Sequence, residues 1–155
     1  MTPSDIRAAV QRLNASTVAG EEEAWGALRE LGVAVVPYLR EAYPTFTRWQ
    51  GRVSLVYHSI RYGRVSEDAF LLGLEAIEDR ATLVRYRACS LLAYSLRKDA
   101  LFRLKQLLKH QDPKTVADAK AAMRAIEKQN HHLFQDRDHS GRVKWVVNDA
   151  DREGA

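Results

Sequence analysis

The residues best suited to chemistry lie near the carboxyl end of the chain. Asp136, Asp138, Ser140 and Gly141 match the first, third, fifth and sixth positions of a calcium-binding loop between two helices. The twelfth position, where such a loop carries a bidentate glutamate, is Val147 instead. The sequence therefore leaves a calcium site in the Asp136–Gly141 loop open, as a minor alternative to a simple turn.

Three histidines of the same segment offer a second kind of site, a transition metal held with the help of a nearby aspartate. His131 and His132 are neighbours, and His139 follows them. Neighbouring residues of an extended chain point to opposite sides, so His131 and His132 cannot easily bind one ion. We therefore assign no metal ligand and no cofactor.

The other reactive side chains favour a protein without catalytic residues. Cys89 lies among apolar residues of a predicted helix, with no histidine within one turn, so we expect a buried apolar residue rather than a nucleophile. Glu75 and Glu78 lie on one helix face, which is more typical of a solvated surface than of acid–base catalysis. Glycine-rich phosphate loops, His-Glu-x-x-His and Gly-x-Ser-x-Gly motifs are absent from the sequence. These observations predict that the protein is not an enzyme.

The composition is that of a soluble globular chain forming one unit. Of the 155 residues, 46% are apolar and 28% are charged, and the net charge is +4. The longest runs without charge, 31–39 and 88–96, are too short to span a membrane. The amino-terminal residues lack the apolar stretch of a signal peptide, and a single cysteine cannot form an intrachain disulfide. We therefore expect a cytoplasmic protein.

Apolar residues recur at spacings of three and four along most of the chain, which predicts helices. Trp49, Val53, Val56 and Ile60, for example, fall on one face of a helix. Short connections force consecutive helices to lie antiparallel. The predicted helices span 4–13, 20–31, 36–43, 45–62, 66–80, 82–97, 99–110 and 113–129. The side chains expected to cap helix starts are Ser66, Asp99 and Asp112.

The helices come in pairs with a period of about 32 residues. Positions that align at this period are Val84 with Val116, Leu91 with Met123, and Ala93 with Ala125. Three segments carry a common pattern: Ala27-Leu28 through Leu31-Gly32 to Val36-Pro37-Tyr38-Leu39; Leu83-Val84-Arg85 with Ala88, Leu92, Leu101, Leu104 and Leu108; and Asp112-Pro113 with Val116.

In these segments the chain resembles the HEAT-repeat family of helical solenoids. The resemblance covers about residues 20–129. Ala117 stands where the family has an arginine, and the helix pair at 45–80 lacks the motif. The resemblance implies an all-α fold, an α-solenoid of short antiparallel helix pairs, as a helical-repeat domain over residues 1–130. An ordinary irregular helical bundle is the alternative.

After residue 130 the pattern becomes typical of a strand. Val143, Trp145 and Val147 alternate with Arg142 and Lys144, and a turn cluster at 138–141 precedes them. We therefore predict a small β-hairpin over residues 131–148 that caps the last repeat. Residues 149–155 are predicted to form a disordered tail.

The charge pattern favours a protein as the partner. Residues 44–66 and 81–109 are basic, and residues 67–80 between them are acidic, so both signs are available for complementarity. We predict a protein–protein interaction module that uses the concave face of the solenoid. The family resemblance implies an adaptor or an immunity-type binder, like other small bacterial HEAT-like proteins. The predicted contact residues are Tyr38, Arg40, Glu41, Glu67, Glu75, Glu78, Arg103 and Lys109.

Nucleic acid is the alternative partner, because some HEAT-like proteins, including a class of alkylpurine DNA glycosylases, hold DNA in a basic groove. The basic helices at 45–62 and 82–110 would form that surface, although the acids of 66–80 interrupt it. Its basic residues are Arg48, Arg52, Arg85, Arg87, Arg97, Lys98, Arg103, Lys105 and Lys109.

Overall fold

The computed structural model describes residues 1–134, 138–139 and 144–153, and every regular element in these ranges is a helix. The helices are α1 (Pro3–Gln11), α2 (Val18–Gly26), α3 (Val36–Ala42), α4 (Trp49–Ser59), α5 (Glu67–Ala76), α6 (Thr82–Ser95), α7 (Leu101–Leu107), α8 (Pro113–Glu127) and α9 (Ala150–Glu153). Short 3-10 segments lie at Arg29–Val35, Tyr43–Thr45, Ile60–Tyr62, Lys98–Ala100 and His131–Phe134. Helices α1 to α8 fall where the apolar periodicity predicts them.

Two of the three predicted helix caps are confirmed. The Ser66 hydroxyl accepts a hydrogen bond from the Ala69 backbone N–H, and the Asp112 carboxylate accepts one from the Lys114 N–H. Asp99 was the wrong choice, because it lies within the 3-10 segment before α7 and its carboxylate pairs with Arg97 at 2.6 Å.

Two helices, α3 and α6, make contacts with several others. Helix α6 packs against α4, α5 and α8, while α3 packs against α1, α4 and α5, and α7 packs against α8. The buried apolar side chains form one cluster around α1 to α3 and another around α5 to α8. Helix α4 contributes to both, since Leu55 belongs to the first cluster and Val56 to the second. In the described part of the chain, no helix is both long enough and apolar enough to cross a membrane.

The predicted fold class is wrong at the carboxyl end, where the described residues of 131–148 form no β-hairpin. In the described residues of that segment, 131–134 form a 3-10 turn and 144–148 contain no strand. The solenoid is likewise not shown by these contacts, which establish only that the helices pack against one another. Part of the predicted disordered tail is helix α9, and its Asp151 is buried.

Side-chain partners explain why the alternating segment does not pair as a strand. The Trp145 N–H donates to His132 Nδ1 at 2.8 Å, and its carbonyl lies 2.8 Å from His131 Nε2. The Val147 N–H donates to the Asp151 carboxylate at 2.9 Å. These backbone groups therefore need no neighbouring strand, and Trp145 and Val147 pack against the core of the helical body.

Gly51 of α4 gives a first prediction, because its Cα lies against the α1–α2 connection. A Cβ at this position would overlap Asn14 Oδ1 and would lie 2.8 Å from Phe46 Cδ2. We expect Gly51→Ala to destabilise the chain by about 1–3 kcal/mol, since overpacking outweighs the gain in helix propensity. Gly26 is the control, because its Cβ would meet nothing within 4 Å, so Gly26→Ala is expected to be neutral or slightly stabilising. Urea unfolding followed by circular dichroism measures both, and equal effects of the two variants would contradict the account.

Candidate binding groove

A groove with two continuous lobes runs along α2, α4 and α6. The first, here called the cationic lobe, has a volume of about 440 Å³, and its side chains include Trp25, Arg29, Tyr57, Arg61, Tyr62, Arg87 and Trp145. The second, here called the apolar lobe, has a volume of about 340 Å³, and its side chains include Leu13, Ala15, Val18, Val53 and Glu21. Tyr57, His58 and Arg87 line both lobes, so together the lobes form one surface.

Helix ends place two of the arginines in the cationic lobe. Arg29 begins the 3-10 segment that follows α2, and Arg61 lies in the 3-10 segment that continues α4. In both cases an aromatic residue four positions earlier lies in the same lobe, Trp25 before Arg29 and Tyr57 before Arg61. One helical turn separates each aromatic from its arginine, so the pair shares a face.

A stack of two rings and a partly buried hydrogen bond lie where the two lobes meet. The Trp25 and His58 rings lie 3.8 Å apart and within 10° of parallel. His58 Nε2 lies 2.6 Å from Glu21 Oε1, which also accepts a hydrogen bond from the Ser54 hydroxyl at 2.7 Å. Burial lowers the pKa of His58, although the hydrogen bond to Glu21 opposes this. We assign a neutral imidazole that donates its Nε2–H to the carboxylate, which can only accept.

Arg87 is held over the aromatic wall of the groove. Its guanidinium carbon lies 5.0 Å from the centre of the Tyr57 ring, within cation–π range. Tyr57 is 50% exposed, so part of its surface is accessible to a ligand. Within the described ranges, none of Arg29, Arg61 and Arg87 makes a salt bridge. Three cationic groups in this groove are therefore available to a ligand.

The carboxyl-terminal segment forms one wall of the cationic lobe and is fastened by a buried aspartate. Asp151 accepts hydrogen bonds from the Tyr94 hydroxyl at 3.0 Å and from the backbone N–H groups of Val147 and Asn148, both at 2.9 Å. Burial alone would raise the pKa of Asp151, but these hydrogen bonds outweigh it and hold the pKa below its usual range. The Asn148 amide donates to the Arg61 carbonyl at 2.9 Å, which ties the wall to the end of α4.

His131 connects the same wall to the body. One guanidinium nitrogen of Arg64 donates to His131 Nδ1 at 2.8 Å, and His131 Nε2 lies 2.8 Å from the Trp145 carbonyl. A carbonyl can only accept, so the proton is assigned to Nε2 and the ring is neutral. Burial lowers the pKa of His131, with His132 and Arg64 acting in the same direction.

The two buried histidines predict a loss of stability in mild acid. Because His58 and His131 have folded-state pKa values below that of the unfolded chain, about 6.5, the unfolded chain takes up protons first as the pH falls. Stability is then lost as the pH falls through about 6.5 toward the folded-state values. We expect Tm to fall between pH 7.5 and 5.5, and a His58→Gln/His131→Gln variant to show a shallower fall. Differential scanning calorimetry measures both, and equal slopes for the variant and the unsubstituted chain would contradict the assignment.

The residues predicted to contact a partner lie outside the groove, and most of them pair with other charges of the chain. Arg40 pairs with Glu75 at 2.7 Å and with Asp68 at 2.9 Å, joining α3 to α5. Glu41 pairs with Arg7 at 2.9 Å. Arg97 pairs with Glu67 at 2.5 Å. The residues of these four ion pairs are here called the ion-paired layer. The Arg7 guanidinium also lies 5.4 Å from the centre of the Tyr38 ring. The three remaining predicted contact residues, all exposed, are Glu78, Arg103 and Lys109.

Two basic residues of the predicted nucleic-acid surface are buried and cannot reach a phosphate. Arg52 donates to the Asp79 carboxylate through Nε at 2.8 Å and Nη2 at 3.2 Å. Arg85 donates to Asp112 at 3.1 Å and to Thr115 at 2.9 Å. Each arginine precedes its aspartate by 27 residues, so a buried arginine meets an aspartate at the same spacing twice along the chain. Sequence reasoning missed this repeat because it followed apolar positions only. The other basic residues of that surface, all partly or fully exposed, are Arg48, Arg87, Arg97, Lys98, Arg103, Lys105 and Lys109.

The candidate metal ligands lie apart or outside the described residues. Asp136, Ser140 and Gly141 belong to the stretch that the structure does not describe. His139 Nε2 lies 3.0 Å from the buried Asp118 carboxylate, whereas His131 and His132 contact the Trp145 backbone. Across the described ranges, no group of three or more histidine, cysteine or acidic side chains could hold a metal ion.

Comparison with models of known protein families finds no match, and comparison with curated proteins finds none either. The resemblance to HEAT repeats therefore rests on the sequence segments quoted above. The groove rests on the geometry of this chain alone.

Sequence reasoning missed Trp25, Arg29 and Arg61 as parts of a site. A signal for them was present, because Trp25 and Tyr57 are 32 residues apart, as are Arg29 and Arg61. This is the period already visible in the apolar residues. Reading the repeat for aromatic and basic positions would have brought these residues together.

Proposed function

We propose that this protein is a non-enzymatic protein-binding module and that the groove along α2, α4 and α6 is its binding surface. One observation carries the proposal. Arg29, Arg61 and Arg87 face a groove rich in aromatic rings and make no salt bridge with the described residues, whereas the arginines of the ion-paired layer are matched by the chain's own carboxylates.

Physical chemistry favours the groove over the ion-paired layer. Arginine and aromatic residues contribute most of the affinity at many protein interfaces, because they bury a large area and keep specific polar contacts. A ligand for the ion-paired layer would have to replace existing contacts such as Arg40–Glu75, and gains little from exchanging one ion pair for another.

The proposal of a non-enzymatic role is supported by how Glu21 and His58 are used. These two residues line the groove and could in principle act as an acid–base pair. However, Glu21 Oε1 already accepts hydrogen bonds from the Ser54 hydroxyl and from His58. The His58 ring is covered on one face by Trp25. These contacts stabilise the junction of α2 and α4 rather than holding a group ready for proton transfer. We include a cytoplasmic location in the proposal, since the single cysteine, Cys89, is buried and cannot form an intrachain disulfide.

Nucleic acid is the second candidate, because arginines interleaved with aromatic rings also suit a single strand. The burial of Arg52 and Arg85 removes two of the cations on which that hypothesis depends. Phosphate binding would weaken steeply with salt, whereas a peptide held partly by apolar contacts would not.

Affinity capture from a native lysate, with and without nuclease, tests the proposed function. Two charge-reversal variants with the same change in net charge serve as baits beside the unsubstituted chain. The groove variant is Arg29→Glu/Arg61→Glu/Arg87→Glu, and the α7 variant is Arg103→Glu/Lys105→Glu/Lys109→Glu. We expect one dominant protein that survives nuclease, is lost with the groove variant and is kept with the α7 variant. Loss with the α7 variant alone, or collapse of the capture under nuclease, would contradict the proposal. Circular dichroism confirms that both variants fold.

A further inference from the structure

The groove joins two lobes of different chemistry in one continuous surface. The cationic lobe holds three guanidinium groups beside aromatic rings. The apolar lobe presents Leu13, Ala15, Val18 and Val53 beside polar side chains such as Ser16, Thr17 and Gln50, and Val18 is 74% exposed. A ligand that fills both lobes is therefore favoured when it carries anionic groups at one end and an apolar group at the other.

We infer that the groove binds an extended acidic segment of a partner protein, with carboxylates on Arg29, Arg61 and Arg87 and one apolar side chain in the apolar lobe. This inference rests on the proposed function and specifies its ligand.

The cationic lobe suits carboxylates in particular. A guanidinium offers two parallel N–H donors to the two oxygens of a carboxylate, and this geometry is more selective than a point charge. Arg87 is already held over the Tyr57 ring at 5.0 Å, so part of its side-chain freedom is lost before a ligand arrives. A pre-positioned donor loses less entropy when it binds, which favours Arg87 as a central contact.

The apolar lobe distinguishes a peptide from a nucleic-acid strand. A strand carries a phosphate on every nucleotide, so it requires cations along its whole path. Arg87 lies where the two lobes meet, and the rest of the apolar lobe presents Val18 and Val53 together with the Glu21 carboxylate. Trp25 is already covered on one face by His58, which limits its use as a platform for bases. A peptide meets both conditions, because its charged and apolar side chains are separate.

Selection from a phage-displayed library of random dodecapeptides on the full chain tests this inference. We expect enriched peptides that combine two or more acidic residues with an apolar residue nearby. A labelled synthetic copy of the most enriched peptide is then titrated by fluorescence anisotropy against single variants. Arg61→Glu and Val18→Asp probe the two lobes, and we expect each to weaken binding about tenfold or more. Arg103→Glu on α7 is the control and is expected to change affinity less than about twofold.

The outcomes separate this inference from the proposed function. The inference would be overturned by enriched peptides that lack acidic residues. It would also be overturned by peptides that bind Arg61→Glu and Val18→Asp as tightly as the unsubstituted chain. In either case the proposed function, a protein-binding module, would still stand. A labelled oligo-dT that binds in place of any peptide, with affinity that falls steeply as salt rises, would overturn both. Failure to enrich any peptide would overturn the inference as well, since a preformed groove of this chemistry should select short segments.

Discussion

Replacing Asp79 with alanine is expected to destabilise the chain by about 3–5 kcal/mol, the largest effect of any single substitution considered. Asp79 is buried between α4, α5 and α6, where it accepts hydrogen bonds from Arg52, from the Tyr43 hydroxyl at 2.5 Å and from the Ala81 backbone N–H at 2.9 Å. Removing the carboxylate leaves the Arg52 guanidinium, which is 4% exposed, as a buried cation without its counter-ion.

The pKa values at this site agree in direction with a carboxylate that must stay charged. Burial alone would raise the pKa of Asp79, but hydrogen bonds from Arg52, Tyr43 and the Ala81 backbone outweigh it and hold the pKa below its usual range. Burial and the neighbouring carboxylate raise the pKa of Tyr43, so its hydroxyl stays a donor. The contribution of Asp79 to stability is therefore present above the pKa of the unfolded chain and is lost as the pH falls through the lower folded-state value.

Urea unfolding of Asp79→Ala measures this effect, with Asp99→Ala as the control. Asp99 also pairs with an arginine, Arg97, but its side chain is 59% exposed, so its loss should cost less than about 1 kcal/mol. If Asp79→Ala lowered the free energy of unfolding as little as Asp99→Ala does, the buried pair would not stabilise the contact between α4 and the α5–α6 connection.

Replacing Asp151 with alanine is expected to release the carboxyl-terminal wall of the groove. Three donors, the Tyr94 hydroxyl and the Val147 and Asn148 N–H groups, would lose their common acceptor at a cost of about 2–4 kcal/mol. We expect this cost to appear as local opening of the segment that contains Val147 and Asn148 rather than as global unfolding. Ligand binding in the cationic lobe should weaken, since Trp145 and Val147 line it.

Hydrogen exchange at the Val147 and Asn148 amides measures this release directly. We expect both amides to lose protection in Asp151→Ala while the amides of α6 keep theirs. Asp149→Ala is the matched control, because the Asp149 side chain is fully exposed and its nearest cation, Arg152, is 4.0 Å away. Unchanged protection of the two amides in Asp151→Ala would refute the role of this carboxylate as the anchor of the wall.

The sequence predicted where the helices lie better than which faces they bury. In α4 the apolar spacing places Trp49 with Val53 and Val56, yet Trp49 is 43% exposed and Arg52 is buried. The buried Arg52 guanidinium is tolerated because it pairs with the carboxylate of Asp79, which follows α5. Hydrophobic periodicity cannot predict a buried ion pair of this kind, since it treats every arginine as a surface residue.

The β-hairpin predicted for the carboxyl-terminal segment was wrong for a related reason. Its alternation of apolar and basic residues is typical of a strand, but a strand needs a partner for its backbone groups. Here His131, His132 and Asp151 provide those partners with their side chains. A local sequence pattern could not show that side chains from two other parts of the chain would supply the hydrogen bonds of a neighbouring strand. In the groove, the Trp25–Arg29 and Tyr57–Arg61 pairs could have been predicted from the 32-residue repeat, whereas the approach of Arg87 from α6 depends on helix packing.

Site-specific photo-cross-linking tests the central claim, that the groove is the surface a partner contacts. Tyr57 in the groove or Phe102 on α7 is replaced with p-benzoylphenylalanine, and each protein is irradiated with the captured partner. Both positions are exposed, Tyr57 by 50% and Phe102 by 71%, so access to solvent does not favour the groove. We predict a covalent product with the partner from position 57 and none from position 102. A product from position 102 alone would contradict the account and would direct attention to the α7 surface.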